Sequence, residues 1–169
     1  MTRLACRLPL LAGAVLLTAT AQGDLLPQGD RVIDAAQSLV WQRCSKGQAF
    51  ADERCQGTAT RMTFLEARAE ARARHSRACP WRLPRFHELN ALRQPNPAEH
   101  GKAIDTVAFP DTPAGWYWTD ASAGGHSQQD CFVDFAGTGR TRCNMGGSFY
   151  LRLVMDHDVE APSPTCRTP

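Results

Sequence analysis

Cysteine is the residue type that most constrains what this chain can fold into. Seven cysteines occur in 169 residues, and six follow the N-terminal segment: Cys44, Cys55, Cys79, Cys131, Cys143 and Cys166. An even number in an exported chain predicts a disulfide framework. Among the possible pairings we favour Cys44–Cys55 around a polar loop, Cys131–Cys143 across a hairpin and Cys79–Cys166 to hold the tail. There is no CxxC pair, so we expect no metal site.

The first 21 residues predict a secretory signal peptide. Arg3 and Arg7 supply its positive charge, residues 8–17 are almost entirely apolar, and "ATA" at 19–21 has the small-residue pattern of a cleavage site. The apolar run is too short to cross a bilayer. We therefore expect cleavage after residue 21, no membrane span, and a periplasmic or secreted location.

Charge gives no support for a nucleic-acid partner. Cleavage would remove two arginines and leave 17 basic and 17 acidic side chains, whereas a protein that binds DNA or RNA usually has a basic surplus. The remaining length of about 148 residues suits one domain. We place that domain at residues 22–158, followed by a Pro-rich tail at 159–169.

A first helix is predicted from Thr63 to Ala78. Thr63 can cap it together with Glu66, three residues further on, which is a capping box. The helix is rich in arginine, which fits either a stripe that binds a polyanion or a solvated face. We favour the solvated face because Glu66 and Glu70 interrupt the arginines.

A second helix is predicted from the stretch "PWRLPRFHELNAL" at 80–92. Trp81 and Leu83 point the same way if this piece is extended, and Pro84 presets the backbone for a helix start. The stretch is therefore predicted to wedge Trp81 and Leu83 into the core. Arg82 and Glu88 are its residues with the chemistry to line a site.

The remaining segments predict strands and one long loop. A hairpin is expected at 31–44, and a loop at 94–114 is expected to place Ile104, Val107 and Phe109 in the core. Alternating or aromatic patterns predict further strands at 115–120, 130–144 and 146–156.

The order of these segments resembles a known family. The chain runs through "SLVWQRC", an alanine-rich helix, "WRLPRFHELNAL", a loop with "FP", "YWTDAS", "CFVDFAGTG" and "LRLV". This series resembles the Lcl C-terminal domain family over roughly residues 29–155, a family named for a bacterial collagen-like adhesin. The resemblance implies an α+β, C-type-lectin-like fold, with two helices packed on a twisted antiparallel sheet with long loops, here braced by disulfides. It also implies an exported adhesive or ligand-binding role.

Two segments are similar, more distantly, to formylglycine-generating enzymes. These are "WRLP" at 81–84 and "GGS" at 146–148. Those enzymes place two thiolates after the "GGS" to hold copper. In this chain the corresponding "FYLRLVM" at 149–155 contains no cysteine, and its Tyr, Arg and Met cannot replace a thiolate pair. An oxidase of this type is therefore disfavoured.

Other ligand and catalytic sets match only in part. The segments 94–96 and 118–120 resemble sugar-site motifs of calcium-dependent lectins but do not assemble enough oxygen ligands. The ionisable cluster at 156–160 reads better as a solvated strand end than as a metal site. Ser122, His126 and Asp120 lack the strained turn of a nucleophile elbow, which disfavours a hydrolase.

Ligand binding is assigned to residues in and beside the loops: Tyr117, Asp120, His126, Arg140 and Arg142. Tyr117 alternates with Trp116 and Trp118, so burial of the tryptophans alone would expose it. The interpretation that we favour is that all three aromatics fill the core. We expect a non-enzymatic binding module without a cofactor, whose partner is a protein or a glycan. The alternatives are a periplasmic inhibitor or immunity protein and the disfavoured oxidase.

Overall fold

The computed structural model describes residues 25–98, 102–120, 131–137, 141–143, 146–157 and 166. Within these residues the fold is α+β. The strands and helices in chain order are β1 (Leu25–Gln28), β2 (Arg31–Asp34), β3 (Leu39–Gln42), β4 (Ala49–Ala51), β5 (Arg54–Gln56), α1 (Phe64–Arg74), α2 (Phe86–Ala91), β6 (Arg93–Ala98), β7 (Lys102–Ile104), β8 (Trp116–Trp118), β9 (Cys131–Asp134), β10 (Thr141–Cys143) and β11 (Val154–Asp156).

The main sheet has the strand order β1-β2-β3-β11, and all of its pairs are antiparallel. The predicted hairpin at 31–44 is confirmed as β2 and β3. Strand β11 pairs with β3 from the other end of the domain, with Val154 opposite Trp41. Strand β3 has a neighbour on both edges, and all four of its residues are buried.

A second antiparallel sheet has the order β10-β9-β8. Tyr117 lies opposite Val133, and Trp118 lies opposite Phe132. Two small hairpins complete the strands. One, β4-β5, forms inside the loop between Cys44 and Cys55. The other, β6-β7, forms where a long irregular loop was expected.

Helix α1 begins as predicted and ends earlier. The Thr63 side chain accepts from the Glu66 N–H, and the Glu66 carboxylate accepts from the Thr63 N–H at 2.8 Å, so the capping box is confirmed. The helix was expected to reach Ala78, but His75 has an extended backbone and pairs with Pro80. Residues after Arg74 therefore turn back towards the "WRLP" segment.

Two hydrophobic clusters fill the two sides of the sheets. The α2 cluster contains Val32, Leu39, Trp41, Leu89, Leu92, Ile104, Ala108, Phe109, Tyr117, Val133, Phe135 and Val154. The tryptophan cluster contains Val40, Met62, Ala67, Ala71, Trp81, Leu83, Trp118, Phe132, Leu151, Leu153, Met155 and Cys166. Neighbouring residues of β3, β8 and β9 enter opposite clusters, as strand alternation requires.

The core positions of the "WRLP" segment are confirmed, and one loop position is not. Trp81 and Leu83 are buried, and so are Ile104 and Phe109. Val107 was expected in the core but is 77% exposed. Asp105 accepts hydrogen bonds from the N–H groups of residues 107 and 108. In the resulting turn Ala108 and Phe109 are buried, while Val107 faces outwards.

Two of the three predicted disulfides are confirmed. Cys44 is bonded to Cys55 and Cys79 to Cys166, with Cα–Cα distances of 5.4 and 5.5 Å. For the third, the backbones of Cys131 and Cys143 lie directly opposite each other in the β9–β10 ladder. Their side chains lie outside the described part of the structure, so this bond stays a prediction. Both helices in the described residues are too short to cross a membrane.

Candidate functional site

An open groove of about 210 Å³ runs between α1 and the "WRLP" segment. Its walls come from three parts of the chain that are distant in sequence. They are the α1 side chains and C-cap at 68, 71, 72 and 75, the segment 81–83, and Asp120 after β8.

The α1 wall is a single stripe of side chains. Residues 68, 71, 72 and 75 fall on one helix face because their spacing is three and four residues. Ala71 is buried, whereas Arg68, Arg72 and His75 are exposed. The guanidinium of Arg68 lies over the Phe64 ring, 5.7 Å from its centroid. In the described part of the chain, neither Arg68 nor Arg72 has a carboxylate within 4.0 Å.

The opposite wall is fixed by the main sheet. The N–H of Arg82 donates to the carbonyl of Val154 at 2.8 Å, and the N–H of Val154 donates back at 3.0 Å. These bonds hold Trp81 and Leu83 beneath the groove. Trp81 and Leu83 both belong to the tryptophan cluster, so the floor is part of the core and cannot shift independently of it.

Arg82 is held by two carboxylates. Its Nη1 and Nη2 atoms donate to the two oxygens of Glu88 at 2.8 and 2.9 Å, and Nη2 also donates to Asp156 at 2.6 Å. The Glu88 side chain is only 5% exposed. It also accepts from the Arg85 N–H at 2.7 Å, which satisfies the backbone donor at the N-cap of α2.

The surroundings of Arg82 and Glu88 favour the charged form of both side chains. Burial opposes the charge on Arg82, but the hydrogen bonds and charges of Glu88 and Asp156 outweigh it and raise the pKa of its guanidinium. Burial alone would raise the pKa of Glu88. Its bonds from Arg82 and Arg85 prevail and hold that pKa below the ordinary value. The network therefore fixes the α2 start against the groove wall.

Asp120 is the predicted site residue that the structure brings to the groove. Its N–H donates to the carbonyl of Pro84 at 2.6 Å, and its backbone forms a parallel bridge with Arg85. His126 and Arg140 lie outside the described residues. Arg142 lies opposite Phe132 in the β9–β10 ladder, and its side chain lies outside the described part.

Tyr117 was included among the ligand-binding residues in case it was exposed, but the structure buries it. Its side chain is fully buried in the α2 cluster because β8 has a hydrophobic cluster on both faces. Its hydroxyl is 2.7 Å from the Ser45 hydroxyl. Burial raises the pKa of Tyr117 to about 12, although nearby Arg152 acts in the opposite direction. The favoured interpretation, in which the aromatics pack inside the domain, is confirmed for this residue.

The groove residues of α1 were interpreted differently from the sequence. Arg68 and Arg72 were assigned to a solvated face, and they are exposed. The four-residue spacing of the two arginines was visible, but nothing local showed that the "WRLP" segment would face them. Only the tertiary packing makes these side chains one wall of a groove.

Other polar clusters have partners already. Glu70 joins Lys46 and Arg74 at 2.7 and 2.9 Å, beside a smaller cavity of about 20 Å³. Asp156 is bound by Arg82, so the 156–160 cluster contributes to the Arg82 network in its described part. Among the described residues no group of three His, Cys, Asp or Glu side chains is placed to hold a metal ion.

The comparisons give one match. The family model described as Lcl C-terminal domain matches residues 30–155, which covers most of the chain and every wall of the groove. No curated protein and no solved structure matches the chain. The C-type-lectin-like assignment and the distant similarity to formylglycine-generating enzymes therefore stay predictions.

Proposed function

The chain belongs to the Lcl C-terminal domain family, and on that premise we propose that it is an exported, non-enzymatic binding module. Its ligand enters the groove between α1 and the "WRLP" segment. Export is supported by the two disulfides, because such bonds persist in oxidising compartments, and by the signal-peptide pattern of the first 21 residues.

The observation that carries this proposal is the rigidity of the groove. Its α1 wall is anchored by the capping box, its floor belongs to the core, and Asp120 is fixed through its backbone bond to Pro84. A preformed site loses little conformational entropy on binding. The exposed charges of Arg68 and Arg72 therefore face a fixed surface, which is the arrangement expected of a recognition site.

The size of the groove limits what enters it. Pockets for small molecules commonly measure about 300–1,000 Å³, and this groove is smaller and open. It suits one side chain or one chemical group of a larger partner. A protein or glycan that places such a group in the groove is therefore the favoured partner.

A groove-filling substitution tests the proposal. The oxidised protein is used to screen a glycan array and an envelope extract. Ligands found in this way should bind Ala71→Leu about tenfold or more weakly than wild type. Ala69→Leu is the matched control, because Ala69 is exposed on the same helix and does not line the groove.

His75→Trp provides a second block at the exposed rim, in case the Ala71 variant does not fold. If every ligand binds both variants as well as wild type, recognition lies elsewhere and the proposal fails. Stoichiometric capture of one enzyme with loss of its activity would instead support the inhibitor alternative.

A further inference from the structure

We propose that the groove binds one compact anionic group, a carboxylate or a phosphate, between the guanidinium groups of Arg68 and Arg72, with an apolar body attached to it. This inference rests on the proposed function, because it names the ligand chemistry of the same groove. It concerns the wall of the groove formed by α1.

The first argument is the charge left unmatched on α1. Arg68 and Arg72 lie one turn apart on the same face, and neither has a carboxylate within 4.0 Å in the described residues. Arginines near them are different. Arg74 is paired with Glu70, and Arg82 is paired with Glu88. Two arginines one turn apart that line the same groove and have no carboxylate partner attract an anion, and each guanidinium can hold it through paired N–H donors.

The second argument is how the rest of the groove limits that anion. The Nη atoms of Arg82 already donate to the carboxylates of Glu88 and Asp156, and Asp120 adds a carboxylate to the groove lining. Of the arginines that line the groove, Arg68 and Arg72 are therefore the two left to attract an anion. The last turn of a helix offers carbonyl oxygens and no free N–H groups, so the two arginine side chains must supply the attraction.

The third argument is the apolar floor. Ala71, Trp81 and Leu83 line the groove and belong to the tryptophan cluster. A hydrated anion alone gains nothing from this surface, whereas an apolar group attached to it removes apolar area from water. The ligand class is therefore an anion joined to a small apolar body, such as an aromatic or branched aliphatic group.

The test uses four probes on the oxidised full chain: inorganic phosphate, phenyl phosphate, acetate and benzoate. Binding is followed by backbone amide chemical shifts in an NMR titration. We expect phenyl phosphate or benzoate to bind more tightly than its parent ion, and the order of these two identifies the anion. Added salt should weaken binding, because exposed charges are screened.

Arginine variants then assign the site. Arg68→Gln and Arg72→Gln are each expected to weaken the better probe about tenfold, since each removes a charge-assisted hydrogen bond to the anion. Arg74→Gln is the control, because Arg74 is paired with Glu70 and does not line the groove. It should leave probe binding unchanged. All three side chains are at least partly exposed, so the folded domain should persist.

The inference is overturned if no probe binds saturably, or if the Arg68→Gln, Arg72→Gln double variant binds as well as wild type. The proposed function is tested separately. If ligands from the array or extract lose binding in Ala71→Leu but not in the double variant, the groove is the recognition site and only its anionic ligand class is wrong.

Discussion

Arg82 and Arg152 show two ways of placing a guanidinium inside one small domain. Arg82 is held by the carboxylates of Glu88 and Asp156 at the edge of the groove. Arg152 is fully buried and donates to neutral oxygens: the carbonyls of Gln42 and Arg43 and the hydroxyls of Ser45 and Thr112. Its guanidinium also lies over the Phe109 ring, 4.6 Å from the centroid.

The two environments act on the charge in opposite directions. Carboxylates raise the pKa of Arg82, whereas burial lowers the pKa of Arg152 to about 10. At Arg152 the Nε atom has no hydrogen-bond partner in the described structure. Arg152 therefore connects the segments around residues 42–45 and 112 through hydrogen bonds from its guanidinium to neutral oxygens. Arg82 instead fixes the groove wall through ion pairs with carboxylates.

The largest expected effect on the free energy of unfolding is at Arg152. In Arg152→Met, two carbonyls and two hydroxyls lose a buried donor, and at about 1 kcal/mol each the free energy of unfolding should fall by about 4 kcal/mol. Urea unfolding with the disulfides intact measures it. Arg61→Met, which removes only an exposed stacking contact with Tyr150, is the control. Unchanged or increased stability would mean that desolvation of the charge outweighs its hydrogen bonds.

Arg82→Met should cost somewhat less and should also disturb the groove. It leaves the buried carboxylate of Glu88 without its main partner, for which about 3 kcal/mol is expected. Urea unfolding together with probe titration separates this variant from Arg152→Met, which should leave groove binding unchanged in the folded protein. Equal effects of both variants on binding would remove the distinction between the two arginines.

Lowering the pH should reduce the stability contributed by the Arg82–Glu88 interaction before it affects the hydrogen bonds of Arg152. Because the folded pKa of Glu88 is lowered, its contribution is complete above the ordinary glutamate pKa and is lost as pH falls through the lowered value. Glu88→Gln should cost about 2 kcal/mol at neutral pH, since it removes charged hydrogen bonds. Unfolding measured between about pH 3 and 7 should show a smaller slope in this variant. A slope equal to wild type would place the acid sensitivity elsewhere.

The smallest effect is expected at the surface. Arg74→Gln breaks the i,i+4 ion pair between Arg74, whose side chain is 30% exposed, and Glu70, whose side chain is 21% exposed. Exposed pairs of this kind contribute about 0.5 kcal/mol, and that loss should disappear in high salt. If Arg74→Gln lowered the free energy of unfolding as much as Arg82→Met, the exposure of an ion pair would not determine its contribution to stability.

The sequence predicts the local parts of this fold well. The alternating hairpin at 31–44, the Thr63 capping box and the core positions Trp81 and Leu83 all follow from short-range patterns. The sequence does not show which faces of the strands are buried by other parts of the chain. Tyr117 and Arg152 lie in strand-like segments where both faces are buried, so alternation does not mark an exposed side.

The groove could not be predicted because it is a product of packing. Its residues come from positions 68–75, 81–83 and 120, and each set is ordinary when considered alone. The arginines of α1 have the pattern of a solvated helix, and only the antiparallel bonding of Arg82 with Val154 brings the "WRLP" segment beside them.

The pairing of β3 with β11 also has a consequence for biosynthesis. The hairpin of β2 and β3 is local and can form within microseconds, but β11 is separated from β3 by most of the chain. Until residues 154–156 arrive, the segment "LVWQ" of β3 presents an unpaired apolar edge, which is a template for aggregation. A chain interrupted before Val154 would keep that edge exposed. Solubility during export therefore depends on how quickly the last strand reaches the first sheet.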